Sequence, residues 1–137
     1  MSSTQKPQLD PAELSGKARW LAFLPRNRWR LGRADAYAAV TGPCGDTMEI
    51  WLRLKRGRIA KATFDTDGCG ATVAAGSAVT ILAKRKPLDE ARRIGRAEVL
   101  GFLGGLPEAF EHCALLAATT LHAALDAADE KTSSLKP

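Results

Sequence analysis

The fold of this chain is decided by residues 48–65, which read MEIWLRLKRGRIAKATFD. In the first half of this stretch, four apolar residues alternate with four others: Met48, Ile50, Leu52 and Leu54 with Glu49, Trp51, Arg53 and Lys55. A period of two residues predicts a β-strand with one buried face, which puts Trp51 on the solvent side. Arg56-Gly57 predicts a tight turn, and a returning strand ends at Asp65. The apolar residues of that strand are Ile59, Ala62 and Phe64. We therefore predict an antiparallel hairpin.

The segments on either side of the hairpin predict helices. Asp10-Pro11 predicts a helix start, because Asp caps helix N-termini and Pro fits the first helical position. Pro25 ends this helix, and its predicted buried side consists of Trp20, Leu21 and Leu24. Further helices are predicted at residues 71–84, 87–93, 96–103 and about 107–129, whereas residues 36–41 predict a short strand or an extended run.

Strands followed by helices predict an α+β fold. In this fold, a small antiparallel sheet of two or three strands is covered on one face by helices 71–84 and 107–129. Four residues of these helices are predicted to lie in the core: Val73, Ile81, Leu115 and Leu116. The length of 137 residues fits a single domain, predicted at residues 11–130, with flexible tails at 1–10 and 131–137.

Composition and charge exclude several classes of function. The chain is 45% apolar and 26% charged, which is typical of soluble globular proteins. It has no apolar run near the ~20 residues that span a membrane, and its polar first ten residues lack a secretory signal. We therefore expect a cytoplasmic protein with no membrane partner.

The net charge of +5 raises the question of nucleic-acid binding. The basic residues, however, are spread over 17–33, 53–61 and 84–96, with acidic residues between several of them. Aromatic residues make up only 6% of the chain, too few for a typical base-stacking platform. We expect a solvated basic surface and no nucleic-acid partner.

Three cysteines lie at breaks in the predicted elements. Cys44 and Cys69 are each next to glycine, and Cys113 lies near the start of the helix that Pro107 opens. An odd number of cysteines cannot form a closed disulfide set, and spaced cysteines in a cytosolic chain indicate metal or redox chemistry. Asp46 and His112 stand beside the first and third cysteines and add an oxygen and a nitrogen donor.

The predicted hairpin brings two of these cysteines together. Cys44 precedes its first strand and Cys69 follows its second, and antiparallel strands begin and end side by side. If the start of the last helix packs at the same edge, Cys113 and His112 join them. Because Cys69 would begin a helix, the unpaired N–H groups there favour its thiolate. Asp46 would be a weaker ligand than a thiolate and would suit a site that releases its metal.

Each of these residues also has an ordinary structural interpretation. Cys113 alone fits a small buried apolar residue, and His112 fits a residue that caps or pairs at a helix start. Gly45-Asp46 fits a turn. Cys69 between two glycines is harder to explain in this way, because a core cysteine needs no glycine beside it. His122 is interpreted as a surface or packing residue.

The motifs together resemble the IscU/NifU-N scaffold proteins of iron–sulfur cluster assembly. The resemblance is carried by three segments in order: Gly42-Pro43-Cys44-Gly45-Asp46, Phe64-Asp65-Thr66-Asp67-Gly68-Cys69-Gly70-Ala71, and Leu106-Pro107 leading to His112-Cys113-Ala114-Leu115-Leu116-Ala117. It implies a transient [2Fe–2S] cluster, built from iron and from sulfur that a cysteine desulfurase supplies. The implied ligands are Cys44, Cys69, Cys113 and either Asp46 or His112. It also implies that Cys113 accepts sulfur, that zinc binds these residues when no cluster is present, and that apo-proteins receive the cluster.

One segment departs from the family pattern. The IscU type carries Leu-Pro-Pro-Val-Lys, which a dedicated Hsp70-type chaperone recognises, whereas this chain has Leu106-Pro107-Glu108-Ala109-Phe110. The second proline and the lysine are missing, so the resemblance does not support recognition by that chaperone. Three interpretations stay open: a cluster scaffold that is not an enzyme, a zinc-bound sulfur acceptor of a desulfurase, and a non-catalytic module that binds metal structurally.

Overall fold

The computed structural model describes residues 8–134. Within this range, the chain forms three β-strands, five α-helices and two short 3-10 helices, which confirms the predicted α+β class. The strands are β1 (Ala36–Thr41), β2 (Thr47–Lys55) and β3 (Arg58–Thr66). The α-helices are α1 (Gly16–Phe23), α2 (Gly70–Ala83), α3 (Leu88–Ala91), α4 (Arg96–Leu103) and α5 (Glu111–Ser134). The 3-10 helices are Pro11–Glu13 and Glu108–Phe110. Of the predicted tails, residues 1–7 and 135–137 lie outside the described range.

The strands form one antiparallel sheet in the order β1-β2-β3. Ile50 at the centre of β2 pairs with Ala38 of β1 and with Phe64 of β3. The register slips between Arg53 and Leu54, so a bulge lies close to the turn at residues 56–57. The predicted hairpin is confirmed, and residues 36–41 form the third strand of the sheet.

Two long helices cover one face of this sheet, as predicted. The helix α5 packs on β1 and β2, whereas α2 packs on β3 and on α5. The side chains of Met48, Ile50, Leu52 and Phe64 are fully buried beneath them. Small residues of α2 let the helix approach the sheet closely. In the described part of the chain, no helix has both the length and the apolar character needed to cross a bilayer.

The opposite face of the sheet is partly covered, which corrects one prediction. Trp51, predicted to face solvent, is only 7% exposed. Its ring centroid lies 5.4 Å from that of Tyr37, and the Arg30 guanidinium lies 5.9 Å from its ring centre. Strand periodicity identifies the better-covered face, but it does not show that neighbouring aromatic and arginine side chains shield the other.

The N-terminal helix also differs from the prediction. The chain breaks after the 3-10 helix at Pro11–Glu13, and Ser15 caps a new helix by accepting the Ala18 N–H at 3.1 Å. Of the three residues predicted to be buried, only Leu21 is; Trp20 and Leu24 are 63% and 55% exposed. The prediction assumed one continuous helix from Pro11. Because α1 begins anew after Ser15, different residues of the segment face the core.

The last helix begins and ends later than predicted. The segment after Pro107 is a 3-10 turn, and α5 runs from Glu111 to Ser134, beyond the predicted end at Asp129. Leu116 is buried, but Leu115 is 51% exposed, so its assignment to the core was wrong. Adjacent positions of a helix point in different directions, and only one of the two leucines faces the sheet.

Candidate metal centre

Three separate elements bring the cysteines to the same end of the sheet. Cys44 lies in the turn between β1 and β2, Cys69 is the N-cap of α2, and Cys113 lies in the first turn of α5. The start of β2 pairs with the end of β3, since Met48 lies opposite Thr66. The predicted meeting of the two hairpin ends therefore occurs, and α5 starts beside it.

The turn that carries Cys44 has a tightly bonded backbone. The Gly45 N–H donates to the Gly42 carbonyl at 3.0 Å, and the Gly42 N–H donates to the Asp46 carbonyl at 2.9 Å. Gly45 has a φ of +92°, a left-handed conformation that favours glycine. Cys44 is half-buried on this turn. The turn thus fixes Asp46 at the end of the loop, directly before β2.

Gly68 allows the Asp46 carboxylate to approach the start of α2. A Cβ atom on Gly68 would lie 2.8 Å from Asp46 Oδ2 and 2.6 Å from Thr72 Oγ1, so a larger residue does not fit. The Thr72 hydroxyl donates to Asp46 Oδ2 at 3.3 Å. Cys69, next to Gly68, is exposed to solvent. The predicted oxygen donor therefore lies beside an accessible thiol.

Cys113 is the buried cysteine of the site. Its side chain is only 1% exposed, and its sulfur lies 3.3 Å from Thr72 Oγ1 and 3.7 Å from His112 Nε2. His112 is half-buried. The structure thus brings Cys69, Asp46, His112 and Cys113 together. Cys44 lies on the neighbouring turn and lines a cavity together with His112 and Leu116.

The two inner cysteines have opposite electrostatic environments. A hydrogen bond from Cys113 and the N–H groups of Thr72 and Ala71 lower the pKa of Cys69 to about 5, against the opposing effect of burial. The same contact with Cys69, together with burial, raises the pKa of Cys113 above its usual range. Without metal, the exposed Cys69 is therefore the thiolate and the buried Cys113 is the thiol.

This difference predicts how alkylation depends on pH. Thiolates react and thiols do not, so Cys69 in the metal-free protein should react with iodoacetamide almost as fast at pH 6 as at pH 8. An ordinary cysteine with a pKa near 8.5 should slow by roughly two orders of magnitude over that range. Mass spectrometry of the labelled peptides measures both rates, and the urea-unfolded chain is the control. A parallel fall in the folded and unfolded rates would contradict the assignment.

The site contains suitable metal donors, but they are not closed around a metal position. Thiolates, imidazole and carboxylate are the ligands that zinc and iron–sulfur clusters use. Among residues 8–134, however, no three His, Cys, Asp or Glu side chains are grouped closely enough to hold a metal ion as they stand. The donor set fits a metal, and binding requires these side chains to move closer together.

Sequence reasoning missed Thr72 at the centre of this site. It is fully buried in the first turn of α2, and its hydroxyl contacts Asp46, Cys113 and, at 3.9 Å, Cys69. A polar residue three positions after the N-cap, in the first turn of a helix rich in small and apolar residues, was the available signal. His122 donates from Nε2 to the Ile94 carbonyl at 2.8 Å, which is a packing contact.

The site and its fold match a known family. Residues 21–134 match the protein family described as "NifU-like N terminal domain". The chain belongs to this family. The "Iron-sulfur cluster assembly scaffold protein IscU 1" of Archaeoglobus fulgidus is 42% identical over 102 residues, which cover 74% of this chain and 67% of that protein. The "Nitrogen fixation protein NifU" of Cereibacter sphaeroides is 36% identical over 119 residues, which are 86% of this chain and 48% of that protein.

Solved structures share the fold of this NifU-like chain. A NifU-like N-terminal protein of Brucella abortus has a TM-score of 0.58 and is 19% identical, over 89% of this chain and 95% of its own. A candidate iron–sulfur cluster assembly scaffold for the SUF system of Fervidobacterium islandicum has a TM-score of 0.69 and is 17% identical, over 85% and 99%. At these identities, the likeness concerns the fold alone.

Proposed function

We propose that this NifU-like protein is a scaffold on which iron–sulfur clusters are assembled and from which they are transferred. The observation that carries the proposal is the meeting of Cys69, Cys113, Asp46 and His112 at one end of the sheet, with Cys44 on the adjoining turn. The names of the curated relatives, IscU and NifU, support the same function.

The cluster is the cargo of the site. We propose that the three cysteines bind it as thiolates and that either Asp46 or His112 supplies the fourth ligand. A [2Fe–2S] cluster needs four such ligands. The carboxylate contacts Thr72, and the imidazole lies 3.7 Å from the Cys113 sulfur, so both donors are beside the site.

An open arrangement suits a site that must release what it holds. Cys69 is exposed, Cys44 and Asp46 are half-buried, and the donors must draw closer together to hold the cargo. A ligand set that closes only on loading costs free energy each time it closes, which weakens binding. We propose that this cost keeps the cluster transferable.

The sulfur is proposed to come from a cysteine desulfurase. A scaffold thiolate attacks the outer sulfur of the enzyme's persulfide, so a new S–S bond forms on the scaffold and the enzyme's thiolate leaves. The resemblance assigns this step to Cys113, which is buried as a thiol in the metal-free protein. Direct transfer to Cys113 therefore requires the site to open, whereas Cys69 is accessible without a change.

The proposed partners and location follow from this role. They are a cysteine desulfurase and the apo-proteins that receive the cluster, in the cytoplasm, where thiols stay reduced. The protein holds and passes on its cargo, and we assign it no catalytic reaction of its own. Recognition by a dedicated Hsp70-type chaperone is not part of the proposal, because Glu108-Ala109-Phe110 replaces the family's recognition segment.

Anaerobic reconstitution tests the scaffold function. The metal-free protein, incubated with ferric iron and sulfide, should become coloured, with sulfide-to-iron charge-transfer absorption and about one cluster per binding site. Excess chelator should then remove the cluster within the time of an assay, because the site is open. A colourless product in which all three thiols remain reduced would overturn the scaffold proposal.

A zinc-bound sulfur acceptor is the second candidate function. The exposed thiolate of Cys69 favours it, because such a group attacks a persulfide without any iron. A desulfurase with cysteine should then place persulfide on the zinc-loaded protein, detected as a gain of one sulfur atom by mass spectrometry. The absence of any sulfur adduct in that experiment would remove this alternative.

A further inference from the structure

A buried threonine occupies the centre of the candidate site. Thr72 Oγ1 lies 3.3 Å from Asp46 Oδ2, 3.3 Å from Cys113 Sγ and 3.9 Å from Cys69 Sγ. These three partners come from the β1–β2 turn, from α5 and from the start of α2. One hydroxyl thus contacts groups of all three elements that build the site.

The hydroxyl is limited in how many of these contacts it can satisfy as a donor. A threonine has one O–H donor and two acceptor lone pairs. Thr72 can donate to Asp46 or to Cys113, but not to both at once. Because the residue has no solvent exposure, water does not replace a lost partner easily.

The surroundings keep the hydroxyl in place. Thr72 lies on the first turn of α2, where the Val73 N–H bonds the Cys69 carbonyl at 3.0 Å. Gly68 leaves the space that the hydroxyl and the carboxylate share, since a Cβ there would lie within 2.8 Å of both groups. The contact therefore depends on a tight local backbone and not on a mobile side chain.

We propose that Thr72 is a positioning residue, whose hydroxyl holds the Asp46 carboxylate and the Cys113 sulfur in place beside Cys69. When the site is empty, the hydroxyl donates to Asp46 and anchors the Cys44–Asp46 turn on α2. When thiolates bind a metal, it donates to the Cys113 sulfur and no longer to Asp46. Its effect on metal binding rests on the proposed function, but its anchoring role does not.

The test compares Thr72→Val, which keeps the size and removes the hydroxyl, with Thr72→Ser, which keeps the hydroxyl. Thr120→Val is the matched control, because Thr120 is equally buried and its hydroxyl bonds the Leu116 carbonyl at 2.7 Å. In metal-free protein, NMR-detected exchange of the Gly45 and Thr47 amides should be about tenfold faster in Thr72→Val, as the loss of a charged hydrogen bond implies. Thr72→Ser and Thr120→Val should match the parent.

Zinc alone is the second probe. Competition with a chelator should show a zinc affinity roughly 10–100-fold weaker for Thr72→Val, as expected when a partner of metal ligands is lost. Thr72→Ser should restore most of it, and Thr120→Val should bind as the parent does at a similar Tm. Unchanged exchange and unchanged zinc affinity in a folded Thr72→Val would overturn the proposal.

The two proposals fail in different ways. If the parent binds neither zinc nor a cluster, the scaffold function fails, and the amide-exchange comparison still decides the anchoring role. If the parent binds zinc and Thr72→Val binds it equally well with unchanged exchange, the scaffold function stands and the positioning role fails. Should Thr72→Val not fold, Thr72→Ala and Thr72→Ser give the same comparison, because only the serine variant retains the hydroxyl.

Discussion

Replacing Asp46 with alanine is expected to lengthen the lifetime of the assembled cluster about tenfold or more. The carboxylate lies beside Gly68 and Thr72, and under the proposed function it would add negative charge to a cluster that thiolates hold. As a weaker ligand than sulfur, it would be the first to leave. In its absence, the imidazole of His112 would complete the site. The decay of the cluster's absorption under excess chelator measures the lifetime.

Asp89→Ala is the control for this experiment. Asp89 is exposed on α3, which is not one of the three elements that carry the site. Its removal should leave the cluster lifetime close to that of the parent. Asp46→Asn, which keeps the size of the side chain but not its charge, should resemble Asp46→Ala. Equal decay rates in Asp46→Ala and the parent would reject the labile-ligand explanation.

The second large effect concerns the core. Gly76→Ala should lower the free energy of unfolding by about 1–3 kcal/mol or more, through overpacking. Gly76 faces the sheet from α2, and a Cβ atom there would lie 2.3 Å from two carbons of the Phe64 ring. Phe64 is fully buried, so its ring has no free space to move into. Thermal and urea unfolding of the metal-free protein measure the loss.

The same substitution should have the opposite effect on another helix. Gly101 lies inside α4, and a Cβ atom there would meet nothing within 4 Å. Gly101→Ala should therefore raise stability by about 0.5–1 kcal/mol, because alanine loses less backbone entropy in a helix. If both variants changed stability in the same direction, the close packing of α2 on Phe64 would not be the cause.

Patterns of neighbouring residues correctly predicted the hairpin and the start of α2. The alternation at residues 48–55 and the turn at 56–57 gave the hairpin, and the position of Cys69 before an apolar run gave the start of α2. The meeting of the two hairpin ends, which carry Cys44 and Cys69, follows from antiparallel geometry alone. The delivery of Cys113 by α5 was a hypothesis, and the structure places its sulfur 3.3 Å from Thr72.

Features set by tertiary packing were not predictable in this way. The burial of Trp51 depends on Tyr37 and Arg30, which come from other parts of the chain. The exposure of Leu115 depends on the angle at which α5 meets the sheet. The role of Thr72 depends on three distant elements meeting at one hydroxyl. A one-dimensional pattern contains the residue types for each feature, but not the contacts.

The turn, the helix start and the buried cysteine that form the site belong to segments that are distant along the chain. A cluster held by all three cysteines would therefore act as a covalent cross-link between β1–β2, α2 and α5, and would close two long loops at once. Loading would restrict the unfolded chain as well as bind the cargo. Transfer of the cluster to a recipient protein would remove this restriction. The conformational entropy that the scaffold regains would then favour the transfer.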